Sequence, residues 1–259
     1  MVKLQCTRFD ASGVPILSDA EINRYAHAVL MDYRPDLLKE PGKINYTHFI
    51  ESYLEATLDY QYIYNENPDK LILGMTVFTE GNVKVFDRDR LCVSEKWMDE
   101  RTVILDNFVM QEGKEGLELF TALHEGGHLC LDTYNHADFE CFDLDWLCRQ
   151  ISCYKENIEN FATSRRKRTP KEWKEHHADC FAACIAMPDA TFIPLIRQTL
   201  RDNNIWKPQI FTGRDEDTDY IAEDLLPELI SETYGVSKRA AFIKLIKCGF
   251  VVDRKPRKA

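Results

Sequence analysis

The sequence predicts an α+β fold. Three observations carry the prediction: helical apolar spacing at both ends of the chain, strand-like apolar runs between residues 71 and 105, and a long apolar helical pattern from Glu115. A chain of 259 residues can bury a substantial core. By pattern it divides into an N-terminal helical segment (1–65), a central α+β core (66–190) and a C-terminal helical subdomain (191–259).

Ser18-Asp19-Ala20-Glu21 is a capping-box pattern, and Ile22, Tyr25, Ala26, Val29 and Leu30 follow at helical spacing, so a first helix ends before Pro35. A second helix is expected after Pro41-Gly42, with Phe49, Ile50, Tyr53, Leu54 and Leu58 on one stripe, closed by residues 65–69. The period then changes. Leu71-Ile72-Leu73 and Thr76-Val77-Phe78, a Glu80-Gly81-Asn82 turn and Val83-Lys84-Val85-Phe86 predict a β-hairpin, and Thr102-Val103-Ile104-Leu105 a further buried strand.

The helix from about Glu115 to Leu131 places Phe120, Leu123, Gly127 and Leu131 on a core-facing stripe. Gly126 and Gly127 each cost that helix roughly 1 kcal/mol relative to Ala, which implies a packing or access requirement such as close approach of a strand. Helical spacing of Leu147, Ile151, Tyr154, Ile158 and Phe161 predicts another helix within residues 143–161, followed by a basic, solvated loop, Ser164-Arg165-Arg166-Lys167-Arg168. Thr169-Pro170-Lys171-Glu172 opens a helix that must stop near Pro188. Further helices follow Asp189 and Asp217, a third opens at Pro227, and Gly235-Val236-Ser237 separates it from the last, over 238–247.

Composition narrows the function classes. A formal net charge of −10 opposes general affinity for nucleic acid, so no direct nucleic-acid partner is expected. No stretch approaches the ~20 apolar residues of a membrane span, and no signal-like start is seen, so a cytoplasmic location is expected. Nine cysteines without a C-x-x-C spacing suit reduced thiols better than a disulfide framework.

The chemistry concentrates in Phe120-Thr121-Ala122-Leu123-His124-Glu125-Gly126-Gly127-His128-Leu129-Cys130-Leu131. On a helix His124 and His128 project from one face and can hold a single Zn2+, with Glu125 addressing a bound water. A catalytic zinc usually takes three protein ligands and keeps one open position. The third is sought in Glu175-His176-His177-Ala178-Asp179. Glu175 is the first choice and His177 the runner-up, because Glu175 and Asp179 share a face that continues with the small Ala182 and Ala186. Asp179 is then placed to bond the non-ligating nitrogen of His124 or His128. Such a site hydrolyses a peptide bond: zinc activates water and polarises the carbonyl while Glu125 moves the proton to the leaving amine. Tyr134, His136, His176 and His177 all remain candidates for stabilising the oxyanion.

These residues resemble the signatures of the ImmA/IrrE family of cytoplasmic metallopeptidases. The first, similar to F-T-x-A-H-E-x-G-H-L-x-L, matches Phe120 to Leu131 with Leu123 displacing the usual alanine register. The second, similar to E-x-x-A-[ND]-x-F-A…M-P, matches Glu175-His176-His177-Ala178-Asp179-Cys180-Phe181-Ala182 and Met187-Pro188. Likeness extends upstream to Leu73-Gly74 and the strand at 102–106, and downstream to Tyr234-Gly235-Val236-Ser237-Lys238-Arg239-Ala240-Ala241. It spans roughly residues 70–250. The stretch from His128 to Glu175 is longer than the family's usual one.

The resemblance implies a zincin-like core with a small sheet against the H-E-x-x-H helix. It also implies a gluzincin-type zinc site of His124, His128 and Glu175, with Glu125 catalytic. The substrate it suggests is a helix-turn-helix repressor in mobile-element or stress control. A metal-binding regulatory or sensor protein with little proteolysis is the alternative. DNA regulation through the helices of 227–247 is a third class, opposed by the net charge.

Overall fold

The computed structural model describes residues 1–67, 69–132, 150–154, 169–213 and 215–252. Its architecture is α+β, with helices around a small mixed sheet.

Helix α1 (Asp19–Tyr33) starts where the capping box places it, with Glu21 returning a 2.8 Å bond to the Ser18 N–H. Helix α2 (Tyr46–His48) is capped by Asn45 and runs into a π-helical turn, Phe49–Tyr53. The helix expected to continue through Leu58 stops early. Glu55 sits at φ 52°, a left-handed backbone that ends a right-handed helix. Strand β1 (Thr57–Gln61) follows, with Leu58 paired opposite Val103.

The expected 71–86 hairpin is also corrected. Strand β2 (Ile72–Val77) is buried along its whole length. It belongs to a four-stranded sheet, whereas β3 (Gly81–Asp87) pairs antiparallel with β4 (Cys92–Met98), a strand the sequence reading omits. The patterns explain the separation. A strand buried at every position has both faces covered, as an interior strand of a packed sheet does, while β3 alternates and buries only Val83 and Val85. Strand β5 (Thr102–Asp106) runs parallel to β1 and antiparallel to β2.

Helix α3 (Glu115–Leu131) has the expected bounds and is buried from Leu119 to its end. Within 143–161 the described residues form strand β6 (Gln150–Tyr154), not helix. β6 pairs antiparallel with β2 and gives the sheet order β1-β5-β2-β6. Polar and apolar residues alternate in Gln150-Ile151-Ser152-Cys153, and the open edge of β2 supplies the ladder. The rest of that predicted helix and the 164–168 loop lie outside the described residues.

Helix α4 (Pro170–Ala186) opens on a complete capping box, Thr169 with Glu172. α5 (Asp189–Asp202) leads to β7 (Ile210–Phe211), and α6 (Glu216–Tyr220) continues through a π-helical turn into α7 (Leu226–Tyr234). Gly235, at φ 74°, turns the chain into α8 (Lys238–Lys247), and β8 (Val251–Val252) closes a parallel pair with β7.

One hydrophobic core runs through most of these elements, from Leu4 and Ile22 to Leu245 and Val251, so residues 1–65 and 191–252 share it with the centre. A satellite cluster of Val83, Val85, Met98 and Ile104 holds the β3–β4 ribbon to the sheet. Among the described residues no single helix is long and apolar enough to cross a membrane.

Candidate metal centre

Three elements build the site: α3, α4 and β2. Helix α3 presents His124 and His128 one turn apart, their rings edge to face with centroids 4.8 Å apart. α4 can lie close because residue 127 lacks a side chain. A Cβ there would stand 3.2 Å from Phe181 Cδ1 and 3.3 Å from the Ala178 Cα. The glycine requirement is therefore met by a helix, not by a strand. Gly126 faces Leu54 and Phe49 instead.

That approach delivers Glu175. The His124 and His128 Nε2 atoms are 3.1 Å apart, and the Glu175 carboxylate lies 3.5 Å from the first and 3.7 Å from the second. Donors bound about 2.0–2.1 Å from one tetrahedral ion are separated by roughly 3.3 Å, so these gaps fit a shared cation. His124, His128 and Glu175 are all buried and form a group that can hold a metal ion.

The atoms behind the histidines support the same conclusion. His124 Nδ1 lies 2.9 Å from Asp179 Oδ1, and His128 Nδ1 lies 2.7 Å from Asp132 Oδ2. Each carboxylate assigns the ring proton to Nδ1, which leaves both Nε2 lone pairs converging on each other and on Glu175. In a buried site that convergence is repulsive without a cation. One proton relieves a single contact, whereas a divalent ion serves all three donors. Burial raises the Asp179 carboxyl, and its bond to His124 opposes the rise.

Glu125 packs against β2. Its Oε2 accepts a 2.6 Å bond from the Thr76 hydroxyl, and its Oε1 is buried with no hydrogen-bond partner among the described residues. Burial pushes its carboxyl up to about 7, against the opposing charges of His124 and His128. Gly74 makes the room: a Cβ on it would be 2.7 Å from Glu125 Oε1 and 2.8 Å from Thr121 Cγ2.

The structure thus brings together His124, Glu125, His128, Glu175 and Asp179. It does not place the runner-up His177 in the ligand group. His177 is buried beside Trp173, ring centroids 5.6 Å apart. His176, an oxyanion candidate, bonds Asp19 of α1 at 2.9 Å. Tyr134 and His136 lie outside the described residues. Sequence reasoning omitted Asp132 and Thr76. Asp132 was findable, being four residues beyond His128, but a buried strand threonine carries no local signal. No protein-family model matches the chain, and no curated protein matches it.

Proposed function

We propose that the protein is a zinc-dependent endopeptidase with a zincin-like core of the ImmA/IrrE type, acting in the cytoplasm on a peptide bond of a specific protein. The observation that carries this reading is the convergence of His124 Nε2, His128 Nε2 and the Glu175 carboxylate, with the Glu125 carboxylate in the adjoining position of α3. Two imidazoles and one carboxylate are a donor set that suits zinc and leaves a coordination position open.

Bound zinc supplies a Lewis acid that polarises a carbonyl and brings the pKa of water toward neutrality. The chain's own residues supply the rest. Asp179 and Asp132 fix the tautomer and direction of the two imidazoles. Thr76 holds one oxygen of Glu125, leaving Oε1 to take a proton from the attacking water and return it to the leaving amine. The family resemblance makes a helix-turn-helix repressor the substrate to try first.

A second reading, a metal-dependent sensor with little turnover, is favoured by burial: His124, Glu125 and His128 are each 0% exposed and Glu175 is 6%. Metal analysis and turnover separate the two. About one zinc per chain in the wild type and in Glu125→Gln, with cleavage only in the wild type, supports the peptidase. Zinc retained by a His124→Ala, His128→Ala variant would overturn the metal centre. Cleavage undiminished in Glu125→Gln would overturn the mechanism.

A further inference from the structure

Cys180 and Cys184 stand one turn apart on α4, outside the His124–His128–Glu175 group. Both are free thiols, each 6% exposed and part of the main hydrophobic core. Their side chains hydrogen-bond each other. Cys184 also forms part of the wall of a cavity of about 220 Å³ between α1, α4 and the start of α5, where His27, Pro188 and Asp189 are its neighbours. The pair is therefore packed in the interior, yet one sulfur is reached from the cavity.

Spacing decides what can join the two sulfurs. Residues four apart on a helix have Cβ atoms roughly 5–6 Å apart, whereas a disulfide needs about 3.5–4.5 Å. Closing one would distort α4, which also carries Glu175 and Asp179. Two thiolates each about 2.3 Å from a shared ion can stand up to about 4.6 Å apart, so an ion bridges the pair with the helix intact.

Donor count then decides which ion. Among the described residues no third His, Cys, Asp or Glu donor closes on the two thiols, and only His124, His128 and Glu175 form a larger group. Two sulfurs fall short of the four-coordinate shell that zinc takes in structural sites. Soft thiolates select Cu(I), a monovalent ion that two sulfurs satisfy, and the apolar core denies it oxygen ligands. Lys244 and Lys247 favour a thiolate at Cys184 and Asp189 opposes it. Both lysines are shared with carboxylates, Lys244 with Asp189 and Lys247 with Asp19 and Asp179. The bridging ion itself, not an excess of lysine charge, is what holds the second thiolate.

We propose that Cys180 and Cys184 form a two-coordinate Cu(I) site, separate from the His124–His128–Glu175 centre and independent of peptidase activity. Binding joins one Cu(I) to both sulfurs and releases one proton from each thiol, and the copper stays Cu(I).

The test titrates the zinc-loaded full-length protein, without oxygen, with Cu(I) held by the chromogenic chelator bicinchoninate. The wild type should withdraw about one Cu(I) per chain, with two sulfur neighbours in X-ray absorption and no loss of zinc. Cys180→Ser and Cys184→Ser should each weaken that withdrawal at least about tenfold while zinc content is kept, which also reports that the variants fold. Cys248→Ser, just beyond α8, should leave it unchanged. The proposal is overturned if the wild type withdraws no Cu(I), if Cu(I) enters only as zinc leaves, if a nitrogen or third sulfur neighbour is found, or if the Cys180→Ser, Cys184→Ser double variant withdraws Cu(I) as the wild type does.

Discussion

Replacing Gly74 by Ala tests whether that glycine exists to seat Glu125. Gly74 lies in the interior of β2 and is not a positive-φ residue, so no backbone conformation excludes a side chain there. On strand preference alone, Ala in place of Gly stabilises by roughly 0.5–1 kcal/mol. The added Cβ, however, would stand 2.7 Å from Glu125 Oε1, 2.8 Å from Thr121 Cγ2 and 2.9 Å from Glu125 Cγ. All three belong to fully buried residues of α3, so the helix shifts or the Glu125 side chain leaves its position. Overpacking of this kind costs about 1–3 kcal/mol. Displacing Glu125 also breaks its bond from Thr76, and with Glu125 protonated, as in the chelated protein below about pH 7, such a bond contributes about 0.5–1.5 kcal/mol. A net loss of about 2 kcal/mol is expected in urea unfolding of the chelated protein. Zinc content should be unchanged, because the atoms nearest the added Cβ belong to Glu125 and Thr121 and not to the three ligands, while turnover falls. A Gly74→Ala protein as stable as the wild type or more so, with normal turnover, would refute the reasoning.

Other expectations follow from the same contacts. Asp132→Asn and Asp179→Asn should each lower zinc affinity by about 10–100-fold in chelator competition, and unchanged affinity would show that the two imidazoles need no support. Chelated protein should lose stability as pH rises from 4.5 through about 7, because the folded state holds a proton on Glu125 that the unfolded state has released. The contribution is about 3 kcal/mol, and Glu125→Gln should flatten the profile measured by denaturant titration across that window. Gly127→Val should push α4 from α3, visible as more than tenfold weaker zinc binding, since even a Cβ at 127 is 3.3 Å from Ala178 Cα. Thr169→Ala should destabilise α4 by about 1 kcal/mol through loss of its cap, read as a lowered urea midpoint.

What the sequence made legible was local. The capping boxes at Ser18 and Thr169 and the bounds of α3 follow from side-chain chemistry within four residues, and so does the pairing of His124 with His128. Glu175 with Asp179 was readable for the same reason, as two carboxylates on one face. Strand partnership was not readable, because it is settled by distant segments. β2 looked like half of a hairpin until β5 and β6 flanked it, and Leu58 looked helical until Glu55 took a left-handed conformation. The reason for Gly127 lies in Ala178 and Phe181, and the support for Glu125 lies in Thr76, about fifty residues away in each case.

The order in which the ligands appear along the chain also bears on biosynthesis. His124 and His128 leave the ribosome together, but Glu175 follows only after a further stretch of translation, roughly 2–10 s at 5–20 residues per second. Throughout that interval the nascent chain offers an imidazole pair without its carboxylate and without α4 to cover it. An unpacked imidazole pair follows the Irving–Williams order and prefers Cu2+ to Zn2+. If the proposed centre took up its metal at that stage, selection would be governed first by which ion is available during synthesis, and only afterwards by the closed geometry that α4 imposes.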